Sequence, residues 1–145
     1  TAQAAAVNDI VNSYPSVPDD ENWGQSDYWE TPAEFFAKGG DCEDFAIAKY
    51  AWLRHLGVPE DNLRLAMVYD RAKKKTHMLL IVYTDAGQAL FLDSQEKTIR
   101  TRNDFARYWP LYEINREGWW AIEPAGQGKR IVQSVLAAAP ASALR

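Results

Sequence analysis

The chain is poor in the residues that most directly reveal a protein's chemistry. It has one cysteine, Cys42, among 145 residues. An intramolecular disulfide is therefore impossible, and so is a zinc centre built from several thiolates. Only two histidines, His55 and His77, are available as an imidazole base. Positive charge is not in excess: 16 Lys and Arg stand against 20 Asp and Glu, a net charge of −4. That balance argues against an electrostatic nucleic-acid binder. No segment approaches the roughly 18–20 apolar residues that span a bilayer. There is no internal repeat, no long linker and no export-signal pattern. The chain opens at Thr1-Ala2-Gln3 and reads as a mature form from which any such signal is gone.

What is present is the mix of an ordinary globular protein, 47% apolar and 25% charged. Its length suits one domain, residues 1–145, with a genuine core. Six Trp and seven Tyr could line a groove, but filling the core is the weightier account. Ala4 to Tyr14 reads as a short helix stopped by Pro15 and Pro18, and residues 15–30 as a polar loop. Thr31-Pro32-Ala33-Glu34 is a capping box with Pro at the first helical position, so a short helix covers residues 32–37. Gly39-Gly40 breaks it.

A second helix follows at once, capped by Asp41 and running to Leu56, where Gly57 and Pro59 stop it. Its apolar residues cover most of the circumference, which predicts the central, buried helix. The period then changes to two. Leu63, Leu65, Met67 and Tyr69 alternate, and Thr76–Thr84 and Ala89–Asp93 read as strands joined by the turn Asp85-Ala86-Gly87. Thr98–Thr101 predicts a short strand and the residues after Asn103 a small helix. Tyr112–Ile114 and Trp119–Ile122 flank a turn at Glu117-Gly118. The tail, residues 126–145, has helical character and a peripheral place. Lys73-Lys74-Lys75 suits a solvated hairpin tip, and Trp119-Trp120 suits the core. Helices first and antiparallel strands afterwards make an α+β domain.

Cys42 sits in the first turn of the central helix. The partial positive charge and unpaired N–H groups there favour a thiolate. Gly39 and Gly40 let backbone approach a substrate, and N–H groups of that turn could serve an oxyanion. A lone cysteine is more often a buried structural residue; its place after Gly-Gly-Asp shifts the balance. His55 lies about 13 residues and roughly 20 Å along the same helix, too far to act on Cys42. His77 is the remaining base. If the 85–87 turn joins strands at Thr84 and Gln88, Leu79 lies opposite Asp93. His77 and Asp93 then share a face as diagonal neighbours, close enough for a His–carboxylate bond. A one-residue slip would separate them. The order Cys, His, Asp is that of papain-like thiol enzymes.

At this point a resemblance becomes specific. Gly39-Gly40-Asp41-Cys42-Glu43-Asp44-Phe45-Ala46-Ile47-Ala48-Lys49-Tyr50, continuing through Leu56-Gly57-Val58-Pro59, resembles the bacterial transglutaminase-like cysteine proteinases. Thr76-His77-Met78 and Leu92-Asp93-Ser94 fall where that family has its His and Asp. Trp29-Glu30-Thr31-Pro32-Ala33-Glu34 resembles the segment before its cysteine, and Trp29 there stands as the candidate substrate-binding residue. Ser94 replaces an expected Asn, and Lys38 a frequent Gly. The resemblance implies a papain-like, transglutaminase-like fold, with helices packed on an antiparallel sheet that carries His and Asp.

Asp41, Glu43 and Asp44 crowd the nucleophile. Capping and dipole complementation account for one or two of them. Three would raise the Cys42 pKa, a conflict that a hard divalent cation removes. The adhesin-processing branch of the family implies calcium at these positions. It further implies a periplasmic endopeptidase that cuts a large surface adhesin near its N-terminus, at a small-residue site such as Ala-Ala-Gly, and releases cells from a biofilm. In that branch an inner-membrane, cyclic-di-GMP-responsive receptor sequesters the protease, and this partner gives it its only contact with the membrane. Two other readings stay open: transglutaminase-type acyl transfer or deamidation by the same triad, and a catalytically silent interaction domain.

Overall fold

The central helix, α4 (Cys42–His55), begins at a reciprocal capping box. The Asp41 carboxylate accepts the Asp44 N–H, and the Asp44 carboxylate accepts the Asp41 N–H. Each satisfies a donor that the helix start would leave unpaired. From Asp44 to Tyr50 every residue of α4 is buried, as expected of a helix apolar on most sides. In the computed structural model, residues 1–101, 106–122 and 130–133 are described. α1 (Ala2–Asn12) and α3 (Pro32–Lys38) pack on α4, as do the strands β1 (Leu63–Asp70) and β2 (Lys75–Tyr83).

The remaining strands are β3 (Ala89–Leu92), β4 (Arg100–Thr101), β5 (Tyr108–Ile114), β6 (Trp119–Ile122) and β7 (Arg130–Gln133). They form one antiparallel sheet in the order β4-β3-β2-β1-β5-β6-β7. The fold is α+β, as expected. β1 and β2 lie inside the sheet, and both their faces are covered: Leu63, Leu65, Met78 and Leu80 belong to the core around α4, Ala66, Val68, Leu79 and Ile81 to a second cluster. The simple alternation expected for β1 is thus hidden by its central position.

β2 and β3 pair Leu80 with Leu92 and Val82 with Leu90. The Thr84 N–H donates to Gln88 O across the turn. This is the register expected from the sequence, and it keeps His77 and Asp93 on one face.

Two expectations need correction. Residues 15–30 are not all loop: Asp19–Trp23 form one turn of helix, α2, with Asp19, Asp20 and Glu21 at its start. Five residues are too few to show a period, although Pro18 followed by three acids was a readable helix start. The tail is not wholly helical in character, since Arg130–Gln133 pair with β6 as a strand; its other residues lie outside the described ones. So does most of the small helix expected after Asn103.

The two glycines before Cys42 have a packing role that the sequence reading missed. Gly39 has φ +75°, and a Cβ there would lie 2.2 Å from the Pro15 carbonyl oxygen. A Cβ on Gly40 would lie 2.5 Å from Asp44 Oδ2. Their bare backbone lets the 15–18 segment bridge to Gly40, with Val17 N–H donating to Gly40 O and Gly40 N–H to Pro15 O. Phe35, fully buried, stacks its edge against Phe45 at 4.8 Å and fastens α3 to α4 beside this turn.

Candidate active site

The N-terminus of α4 and the start of β2 open onto one cleft of about 620 Å³. Cys42 and Glu43 line it from the helix, His77 from β2, and Ser94 and Gln95 from the segment after β3. Asp19, Asp20 and Asp41 add acid on the helix side, and Lys73 and Lys75 come from the β1–β2 hairpin. Lys73 and Lys74 sit at the hairpin tip, as expected, while Lys75 begins β2. His55 ends α4, fourteen residues long, at the opposite end from Cys42.

His77 is almost completely buried, and its Nε2 lies 2.7 Å from Asp93 Oδ1. Asp93 also accepts the Gln95 backbone N–H on Oδ1 and the Tyr108 hydroxyl on Oδ2, at 2.9 and 2.5 Å. Burial works to raise its pKa, but hydrogen bonds from His77, Tyr108 and Gln95 outweigh burial and hold Asp93 below the usual carboxylate range. The Tyr108 ring stacks on His77, centroids 5.6 Å apart. Asn12 of α1 donates to the Asp93 carbonyl at 2.9 Å and fixes the strand end. Ser94, at the position of the expected Asn, makes no hydrogen bond to His77; Gln95 does, its Nε2 lying 3.1 Å from His77 Nδ1.

Cys42 is only partly exposed, and its Sγ donates towards Glu43 Oε2 at 3.2 Å. Burial and the Glu43 carboxylate push the thiol well above its ordinary range, against the Met78 N–H beside it. The crowding of carboxylates therefore opposes the helix dipole, as the sequence predicts. Behind the pair, Lys49 of α4 is buried, and its Nζ has no hydrogen-bond partner among the described residues. Burial pulls its ammonium down to about 7, with Asp93 opposing.

Of the three acids expected to hold a metal, Asp41 and Asp44 converge with a third carboxylate, Asp19, into a group that could do so. Asp19, Asp41 and Asp44 each offer a carboxylate oxygen, all within 4.8 Å of one another. Glu43 instead faces the Cys42 thiol. Asp19 lies on the one-turn α2, which is why no spacing within the Asp41–Asp44 motif could reveal it. Asp19 Oδ2 accepts the Tyr28 N–H at 2.6 Å, whereas its Oδ1 is buried without a hydrogen bond from the described residues. Burial and neighbouring carboxylates push Asp41 up to about 10, and burial raises Asp44 as well. Converging hard oxygens, one of them buried and unsatisfied, fit a calcium-sized cation. Glu30 supports the set from behind: its N–H donates to Asp44 Oδ1 at 2.7 Å, and burial pushes its own carboxyl up to about 7.

Trp29 packs against the core cluster and is not among the residues lining the cleft.

No curated protein matches the chain. Among solved structures, LapG of Legionella pneumophila is 36% identical with a TM-score of 0.76, over 86% of this chain and 70% of that one. Calcium-bound LapG matches at 38% identity and TM-score 0.72, over 83% and 67% of the two chains. EGTA-treated LapG matches at 37% and 0.73, over 84% and 67%. A family model described as bacterial transglutaminase-like cysteine proteinase matches residues 1–127. With a cysteine at the start of its central helix, a His–Asp pair on the sheet and this match over most of its length, the chain belongs to the bacterial transglutaminase-like cysteine proteinases.

Proposed function

We propose that the protein is a calcium-dependent cysteine endopeptidase of the LapG type, with Cys42 as nucleophile, His77 as base and Asp93 as the orienting acid. One observation carries this reading: Cys42 at a helix N-terminus shares a cleft with His77, whose far nitrogen is hydrogen-bonded to Asp93. His77 Nδ1 takes the thiol proton while Asp93 holds Nε2 and stabilises the imidazolium. The thiolate attacks the scissile carbonyl, and N–H groups of the first turn of α4 face the developing oxyanion. His77 returns the proton to the leaving amine, then activates the water that cleaves the thioester.

Asp19, Asp41 and Asp44 would hold the cation, whose charge offsets the carboxylates that now oppose the thiolate. The calcium-bound and EGTA-treated forms of LapG support the choice of ion. On the strength of the family resemblance, the substrate is a large surface adhesin cut near its N-terminus, the compartment the periplasm, and the control a cyclic-di-GMP-responsive inner-membrane receptor that sequesters the protease.

Incubating a candidate adhesin with the calcium-loaded protein and sequencing the fragment N-termini tests the reading. A single cut at a small-residue site, absent with Cys42→Ala, is the expected result. Incorporation of a labelled amine in place of cleavage would assign acyl transfer instead.

A further inference from the structure

Three side chains, Asp70, Arg107 and Gln95, connect the hairpin between β1 and β2 to the working nitrogen of His77. Asp70, fully buried, accepts a fork from Arg107: Nε to Oδ1 at 3.0 Å and Nη2 to Oδ2 at 2.7 Å. Asp70 Oδ1 also accepts the N–H groups of Ala72 and Lys73, so it cannot swing away without leaving several donors unpaired. Arg107 Nη2 then lies 3.1 Å from Gln95 Oε1, and Gln95 Nε2 lies 3.1 Å from His77 Nδ1.

The chemistry of the donors fixes the direction of this chain. A guanidinium can only donate, so the Gln95 atom that meets it must be the carbonyl oxygen. The amide NH₂ therefore faces His77, and Nδ1 must present its lone pair. The one proton of a neutral ring is left on Nε2, aimed at Asp93 Oδ1. That is the tautomer a thiol-activating base requires, because its lone pair is on the nitrogen that receives the proton.

We propose that Gln95 is a positioning residue that holds His77 as the Nε2–H tautomer, its own amide oriented by Arg107 and Asp70. The role in turnover rests on His77 acting as the base; the tautomer assignment does not. Asp93 accepts a ring N–H at Nε2 and Gln95 disfavours one at Nδ1, and both contacts are needed to hold the ring in a single tautomer. The Gln95 bond is neutral, so it yields when the thiol proton arrives and a charge-assisted imidazolium contact replaces it. Tyr108 stacks on the ring, Lys49 lies buried within the field of Asp93, and the same cleft carries Cys42, Glu43, Asp19, Asp20, Asp41, Lys73 and Lys75.

The ¹⁵N shifts of His77 at neutral pH, in the calcium-loaded protein, provide the test. The wild type should show Nε2 protonated and Nδ1 not. Gln95→Leu, which keeps volume but removes the donor, should give a mixture of tautomers and lower kcat/KM roughly three- to tenfold, the loss typical of one neutral hydrogen bond. Gln95→Glu should place a proton on Nδ1, because a carboxylate there can only accept. A wild-type ring protonated at Nδ1, or a Gln95→Leu ring unchanged in tautomer, overturns the proposal whether or not any substrate is cut. A changed tautomer with undiminished kcat/KM overturns the role in turnover. If the wild type cuts no substrate, the proteolytic reading fails, and the ¹⁵N shifts still decide the tautomer.

Discussion

Asp93 makes more contacts with donors than any orienting carboxylate strictly needs. It accepts from His77, Tyr108 and the Gln95 N–H, and these bonds keep it ionised despite its burial. Asp93→Asn preserves the shape but can present an N–H where a carboxylate must accept, so His77 loses both its tautomer and the charge opposite the imidazolium. A fall in kcat of about 10²–10⁴, by analogy with triad carboxylates, is the expected outcome. Steady-state kinetics beside a thermal melt check it; unchanged kcat would mean that another group orients His77. At this scale the sequence was informative because Cys42 and His77 had almost no competitors. Gln95 and Tyr108 were not legible: a glutamine after a strand and a tyrosine within one carry no spacing signal, and only tertiary packing brings them to the ring.

Among the elements, α2 and the α4 cap together decide the cation site. Asp41 and Asp44 serve twice, as a reciprocal capping box and as candidate ligands with Asp19. A chelator should abolish proteolysis and added calcium should restore it, with magnesium a poor substitute because it demands tight octahedral geometry. Asp19→Asn should weaken calcium binding measured by calorimetry, whereas Glu43→Gln should weaken it less, since Glu43 faces the thiol instead. Equal losses from both would return Glu43 to the ligand set. Calcium at about 100 times its Kd should add about 2.7 kcal/mol of stability. The helices and the β2–β3 register were readable from caps, glycines and the period-two pattern. The short α2 was not, and with it went Asp19, because one helical turn buries too little to impose a pattern.

For the whole molecule, acid stability is set partly by the buried Asp70. The Arg107 fork is the largest influence and, against burial, lowers its pKa from 3.8 to about 2. A carboxyl depressed in the folded state stabilises the fold above its unfolded pKa, and that contribution is lost as pH falls from 3.8 through about 2. Urea midpoints measured from pH 5 to pH 2 should therefore drop steeply at the acid end, and less steeply in Asp70→Asn. An identical slope would show that other carboxyls govern the acid limb. The sheet order was beyond the sequence: β5 pairs with β1, not with its chain neighbour β4, and no local pattern specifies that choice. The bridge from Pro15–Val17 to Gly40 has one more consequence. Two amide protons, those of Val17 and Gly40, lie on the hinge between the segment leading to Asp19 and the turn that carries Cys42. Their exchange with deuterium reports how often the two part company, without any substrate. Exchange should slow on addition of calcium and quicken in chelator, so a pair of backbone amides becomes a clock for the assembly of the site.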